Sequence, residues 1–362
     1  MQQKKKIISP FFVISLCIFL PCFIGLSLSK KSAQTADLLN GTVCYAYRFL
    51  MAKISDIFPF SLFEAVIISI PFVVALIVFL AVRRFKSGEG RVRFILNLFG
   101  AVLIIFSGYI LGLGIGYGTS PISEKMGIAE VEVTKENLAD TMILLRDEVN
   151  ALADVISVGE DGTTDPGCSL FEISDKICAS YDSFYAEYGF PKSFVSHAKG
   201  VHFSTVMSYL GLGGIYTFYT GEANVNIGYP MYDVTFTAAH ELSHQRGVMR
   251  ENEANFMAYI VLSESDDAYL RYSAALNMYQ YVASALYRTD KELYYEIARG
   301  LSDTAKADVS AANEVTRKYG DTFIADISEW INDLYLKSNG TDGVVTYGRV
   351  VILAVSYIES RK

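Results

Sequence analysis

The chain has two textures. Up to about residue 117 it is built from long apolar runs broken by short charged connections; beyond that, apolar residues recur every three or four positions among polar ones. Three runs, at about 7–29, 60–82 and 94–117, are long enough to span a bilayer as helices, which takes about 20 residues. Glu64 and Pro71 fall inside the second, where Glu64 is expected near the outer interface and Pro71 at a kink. Farther on, Thr134 can cap a helix running to about Ala153, with Leu138, Met142, Leu145, Val149 and Leu152 on one face. Between residues 201 and 232 the texture turns to Gly, Tyr, Thr and β-branched residues, which predicts strands at 214–219 and 223–227 with glycine turns. Helical periodicity then returns at about 267–287, 290–299, 302–319 and 321–337. The stretch 344–357 is too short for a span and reads as a helix closing the core, from which Tyr347 or Arg349 would be able to reach a functional site.

This pattern predicts a multi-pass membrane anchor over residues 1–117 joined to a mainly α domain with a small sheet (α+β) over residues 118–362. Composition supports the first part: 51% of residues are hydrophobic and the mean hydropathy is +0.28. Charge orients it. Lys4, Lys5 and Lys6 precede the first run, and Arg83, Arg84, Lys86, Arg91 and Arg93 crowd the connection between the second and third. Both are expected on the cytoplasmic side, so residues 30–58 and everything past about 118 would be extracytoplasmic. The first run has a long apolar middle and no clear A-x-A site after it, which favours a retained anchor over a cleaved signal peptide. Residues 1–117 carry 12 Lys and Arg against 4 Asp and Glu, leaving 19 against 35 for the remainder. A net acidic domain argues against a nucleic-acid partner.

The candidate chemistry lies in residues 233–265. His240-Glu241-Leu242-Ser243-His244 places two imidazoles one turn apart on one face of a helix expected at about 235–247, capped by Thr235 or Thr237 and ended near Gly247. This spacing suits Zn2+, although the same ligand types would also take cobalt or manganese. A catalytic zinc takes three protein ligands and keeps one position open. Glu251 is the candidate third ligand, opening a second helix to about Ser263, and Glu253 is the weaker alternative. Asn255, on the face of Glu251, would orient a ligating imidazole. Glu241 would act as general base on the activated water and then as acid toward the leaving amine. Glu222, Asn224 and Asn226, in or beside the second strand, are candidates for the lip of a substrate groove, where an exposed strand edge would pair with an extended peptide. Their other reading is ordinary strand and turn polarity.

The remaining polar features read more plainly. Gly159 to Gly167 is a solvated turn without the spaced glutamate of a calcium loop. Cys168 and Cys178 could pair outside the cytoplasm or stay as free thiols. His197 and His202, five apart, would face different ways and are not candidate ligands, although His202 could approach the metal from another element as a hydrogen-bond donor.

At HELSH followed by Glu251-Asn252-Glu253-Ala254-Asn255 the chain resembles zincin metallopeptidases with a glutamate third ligand, and in particular the ExxA(D/N)-like motif of membrane-embedded members. It departs from them in that only six residues, Gln245 to Arg250, separate the second histidine from the glutamate. A metzincin third histidine would fall on Arg250, so that assignment fails. Across nearly its whole length, through the run Gly211 to Asn226 and then HELSHQRG and ENEANF, the chain resembles a bacterial membrane protein family, domain of unknown function 3810. The resemblance implies N-terminal membrane helices, a location in the bacterial cell membrane and a zincin-like zinc peptidase acting on a peptide or protein. The competing expectation is an inactive zincin-like membrane protein that binds or senses, with zinc in a structural role.

Overall fold

The computed structural model describes residues 9–87, 90–188, 190, 193–320, 323–340 and 348–361. It is mostly helical. In chain order the helices are α1 (Pro10–Ser29), α2 (Ala33–Leu39), α3 (Tyr45–Ser55), α4 (Leu62–Ser87), α5 (Arg91–Tyr109), α6 (Ile122–Lys125), α7 (Lys135–Ala153), α8 (Leu170–Tyr188), α9 (Ser204–Tyr209), α10 (Met231–Gln245), α11 (Glu251–Ser263), α12 (Ala268–Thr289), α13 (Lys291–Ala298), α14 (Asp303–Tyr319), α15 (Phe323–Ser338) and α16 (Arg349–Ser360). Single π turns at Asn40–Cys44 and Ile110–Gly114 join α2 to α3 and extend α5.

Three helical stretches, Pro10–Ser29, Leu62–Ser87 and Arg91–Gly118, are long and apolar enough to cross a membrane. Along α4 the apolar side chains point outward, Phe72 and Phe79 among them. Pro71 lies within α4. The stretch between the first two runs is ordered as α2, the π turn and α3.

The core is built around α12. Tyr272, Leu276, Val282 and Leu286 are buried on it, facing α7, α10, α11 and α16, which contribute Leu145, Leu242, Phe256, Ile260 and Val355. Helix α7 starts as expected: Thr134 accepts from the Asn137 N–H while the Asn137 side chain accepts from the Thr134 N–H. The periodic segments after residue 265 became helices close to their predicted bounds. The helix α8 was not foreseen, although Ile173, Ile177, Tyr181 and Phe184 line its buried face.

Two small sheets complete the fold. β1 (Ser157–Val158) and β2 (Thr164–Asp165) form a hairpin whose turn is closed by Asp161 accepting from Thr163. In the second sheet β5 (Glu222–Asn226) is central, parallel to β3 (Lys199–Val201) and antiparallel to β4 (Gly214–Thr217). β3 and β4 are therefore the two edges, and both β4 and β5 rest on α10.

The two textures of the chain are tied together by hydrogen bonds. Glu222 accepts from the backbone N–H of Leu62 and Phe63, both at 2.8 Å, and so caps the start of α4. Asn224 accepts from Ser61 at 2.7 Å, and Glu64 accepts from the Phe203 N–H at 2.8 Å. Lys199 donates to Phe58 O at 2.7 Å and Tyr47 to Phe218 O at 2.9 Å. The five cysteines are free: Cys168 lies beside Lys176, and buried Cys178 donates to Ser196 O, so no disulfide joins them.

Candidate metal centre

Helix α10 begins four residues earlier than expected. Pro230, which has no N–H to leave unpaired, holds the cap position, and Asp233 sits in the first turn, favoured by the helix dipole. Thr235 and Thr237 thus lie inside the helix rather than at its cap. The helix stops at Gln245, and Gly247 turns the chain with φ +102, where a side chain is disfavoured. A Cβ there would also lie 2.5 Å from Arg48 Nη2. Asn40 donates to Gly247 O at 3.1 Å and accepts from Arg48 at 2.9 Å, so the turn is held by residues that lie between the first two apolar helices.

The turn sends α11 back across α10 and brings three donors together. His240, His244 and Glu251 each offer a ligand atom within 4.8 Å of the others. His240 Nε2 lies 3.2 Å from Glu251 Oε2, and His244 Nε2 lies 3.6 Å from Glu251 Oε1. Both rings are fixed through their other nitrogen: His240 Nδ1 donates to Asn255 Oδ1 at 2.8 Å, and His244 Nδ1 to Val248 O at 2.7 Å. With Nδ1 committed, Nε2 is the atom turned toward a metal. Burial lowers the His244 pKa, but the Glu251 carboxylate outweighs it and lifts it to about 9. Burial also raises the Glu251 carboxyl, yet the two histidines carry it well below the usual carboxylate range. A cation placed among these groups would take over the role of the shared protons.

Glu241 is 5% exposed, and its Oε2 has no hydrogen-bond partner among the described residues. Burial pushes its pKa up, opposed by the two histidines and reinforced by Glu251. Gly214 at the start of β4 makes room for it, since a Cβ there would lie 2.5 Å from Glu241 Oε1. Glu253 turns away, accepting from Arg250 at 2.7 Å and from the Ile122 N–H at 3.2 Å. The three donors and Glu241 face a cleft of about 980 Å³ between α10, β4, α12 and α15.

The chain matches the model described as "Protein of unknown function (DUF3810)" over residues 42–355. It belongs to that family. The matched span of this DUF3810 chain starts in the first π turn and takes in α4, α5, the sheet and the metal-type cluster, so both textures belong to the family unit. No curated protein and no solved structure matches it.

The other sequence candidates fall elsewhere in this DUF3810 fold. Glu222, Asn224 and Asn226 are buried at 1%, 0% and 1% exposure and form no groove lip. They sit on the central strand, where Glu222 and Asn224 hold the start of α4, and Asn226 bonds Ser208 and Leu212 O. The strand that lines the cleft is β4. His197 stacks on Phe171 between Asp56 and Asp175, and His202 is exposed beside Glu64; neither lines the cleft. Arg349 begins α16, also away from the cleft, whereas Tyr347 lies outside the described residues. Among the cleft residues, Asp233 and Asn277 carried no sequence signal as site residues.

Proposed function

We propose that this DUF3810 protein is a membrane-anchored zinc metallopeptidase. In this reading residues 1–117 anchor the chain in three passes, the zincin-like remainder lies outside the cytoplasm, and the site meets its peptide or protein substrate there. The observation that carries it is the pairing of a three-donor cluster with a buried, unpartnered carboxylate oxygen on the adjoining residue. The donor set fits the ion: two imidazoles with their second nitrogen engaged and one carboxylate, with no fourth member in the cluster among the described residues. Bound there, zinc would supply an activated water and polarise a peptide carbonyl.

The residues of the chain do the rest. Glu241 Oε2, free of hydrogen bonds and shielded from solvent, takes the proton from the attacking water and delivers it to the nitrogen of the departing amine. β4, the sheet edge on the cleft, offers backbone groups to an extended peptide.

The test is elemental analysis of the full-length protein in detergent beside His240→Ala and Glu251→Ala, together with hydrolysis of an unstructured protein substrate. About one zinc per chain, absent from both folded variants, with turnover that follows the zinc, is expected. A folded wild type without zinc, or zinc without turnover, would favour the binding or sensing alternative.

A further inference from the structure

The far end of the cleft has a charge problem that the metal cluster leaves unsolved. Its lining includes four carboxylates, Asp233, Glu241, Glu251 and Glu329, and no lysine or arginine among the described residues. A divalent ion would offset Glu241 and Glu251, and Glu329 is exposed to water, which leaves Asp233 as the half-buried carboxylate without a counter-charge. Asp233 has no hydrogen-bond or ion-pair partner for its carboxylate among the described residues, and burial alone lifts its pKa to about 6. Asp233 is half-buried, and a carboxylate partly withdrawn from water without a partner is costly, so such groups are retained where something else supplies the partner.

The surroundings of Asp233 are those of a cation receptor. Across the cleft on α12, Asn277 is 7% exposed and its amide nitrogen is spent on Ser273 O at 3.0 Å. Its Oδ1 is thus left as an acceptor with no partner among the described residues, and Tyr281 follows one turn later on the same face. Asp233 is near enough to Tyr281 to raise the pKa of its hydroxyl, after burial. Asp233 itself stands seven residues before His240. Seven residues are about 10 Å along a helix and return to nearly the same face, so Asp233 is aligned with the metal cluster at roughly the reach of a lysine or arginine close to the cut bond.

We infer that Asp233, with Asn277 and Tyr281, forms a subsite for the cationic side chain of a lysine or arginine near the scissile bond. This inference rests on the peptidase reading only in taking the ligand to be a peptide. Asp233 supplies the counter-charge, the Asn277 carbonyl a second acceptor, and the Tyr281 hydroxyl a third contact.

The experiment uses full-length Glu241→Gln protein in detergent and dye-labelled decapeptides of Gly, Ser and Ala that differ at one central position: Lys, norleucine or Glu. Binding is followed by fluorescence anisotropy. The lysine peptide is expected to bind about tenfold tighter than the norleucine peptide, as one charged hydrogen bond would give. In Asp233→Asn the preference should fall to within about twofold, and in Asp233→Glu it should return, with zinc content and melting temperature showing that each variant is folded. Equal binding of lysine and norleucine peptides, or a lysine preference that survives Asp233→Asn, would overturn the inference. Lysine-selective binding without cleavage by the wild type would remove the peptidase reading and leave the cation subsite standing.

Discussion

Helix α10 carries polar side chains on two faces, and the fold treats them in opposite ways. The cleft face holds Asp233, His240, Glu241 and His244; there Glu241 has an orphaned oxygen and Asp233 no partner among the described residues. The rear face holds Ser243, Gln245 and Arg246, all buried and all bonded. Arg246 donates to Ser193, to the carbonyls of Leu242 and Phe194 and to Cys178, and its guanidinium lies 4.4 Å from the Tyr181 ring centroid. Gln245 donates to Gly221 O at 2.6 Å and accepts from Ser196. A buried polar group left without a partner costs about 1–3 kcal/mol and a carboxylate more; of these α10 residues the rear face leaves only the Thr235 hydroxyl unpartnered among the described residues, whereas the cleft face leaves carboxylates so, as the proposed chemistry would require.

The sharpest way to break this contrast is Glu241→Gln. If the cleft face is there for chemistry, turnover should fall by about 10²–10⁴ while zinc content and melting temperature hold, because the carboxylate gives up no internal hydrogen bond that glutamine cannot replace. Unchanged turnover with full zinc would remove Glu241 as the base.

The rear face predicts the reverse pattern. Arg246→Ala should cost about 3 kcal/mol, since it strips several buried acceptors of a charged donor, and should lower the melting temperature by on the order of 5 °C. Thermal scans would show it, while chains that remain folded should keep their zinc. Loss of zinc without loss of stability would place Arg246 on the functional side of the helix.

How much of this was legible in the sequence follows from which contacts are local. The spacing of His240 and His244 is a property of one helix, and Glu251 lies only one turn of chain beyond it, so short-range reasoning placed the three together. Asn255 needed only the period of α11 to be set beside a histidine. The strands were also legible, but their order was not: that β5 is central and β4 an edge depends on β3 pairing from a distance, and this is why Glu222, Asn224 and Asn226 were expected at a lip they do not form. Likewise nothing near residue 40 signals that Asn40 and Arg48 hold the turn at Gly247, about 200 positions later in the chain. The helix α8 did carry a helical period, but its buried face is interrupted by Ser174 and weighted with Tyr181 and Tyr185, which dilutes the signal.

Asp233→Asn tests whether the cleft face carries a cost. An acid whose folded pKa is raised from the usual 3.8 to about 6 favours folding only in its protonated form. Below about pH 4 both states are protonated and the penalty is absent; it grows between roughly 4 and 6 and is full above 6. Removing the charge should therefore stabilise the protein by about 1–3 kcal/mol at pH 7.5 and by little at pH 4. Thermal melts at the two pH values would measure it, and a variant destabilised at pH 7.5 would mean that Asp233 has a partner in the folded chain.

The smallest effect is the most pointed comparison, because it concerns a residue only two positions from Glu241. Ser243 lies inside the same five-residue motif but on the other face, where its hydroxyl donates to Ala239 O at 3.0 Å and meets the Tyr181 hydroxyl. Tyr181 also donates to Ala239 O at 2.9 Å, so Ser243→Ala deletes one hydroxyl without orphaning the carbonyl. The loss should be that of one neutral hydrogen bond, about 1 kcal/mol, partly offset by the better helix propensity of alanine. Turnover and zinc content should not change. Within HELSH, then, Glu241→Gln should remove activity and spare stability, and Ser243→Ala should lower stability slightly and spare activity; a Ser243 variant that lost turnover at full zinc would show that the two faces are coupled through the helix.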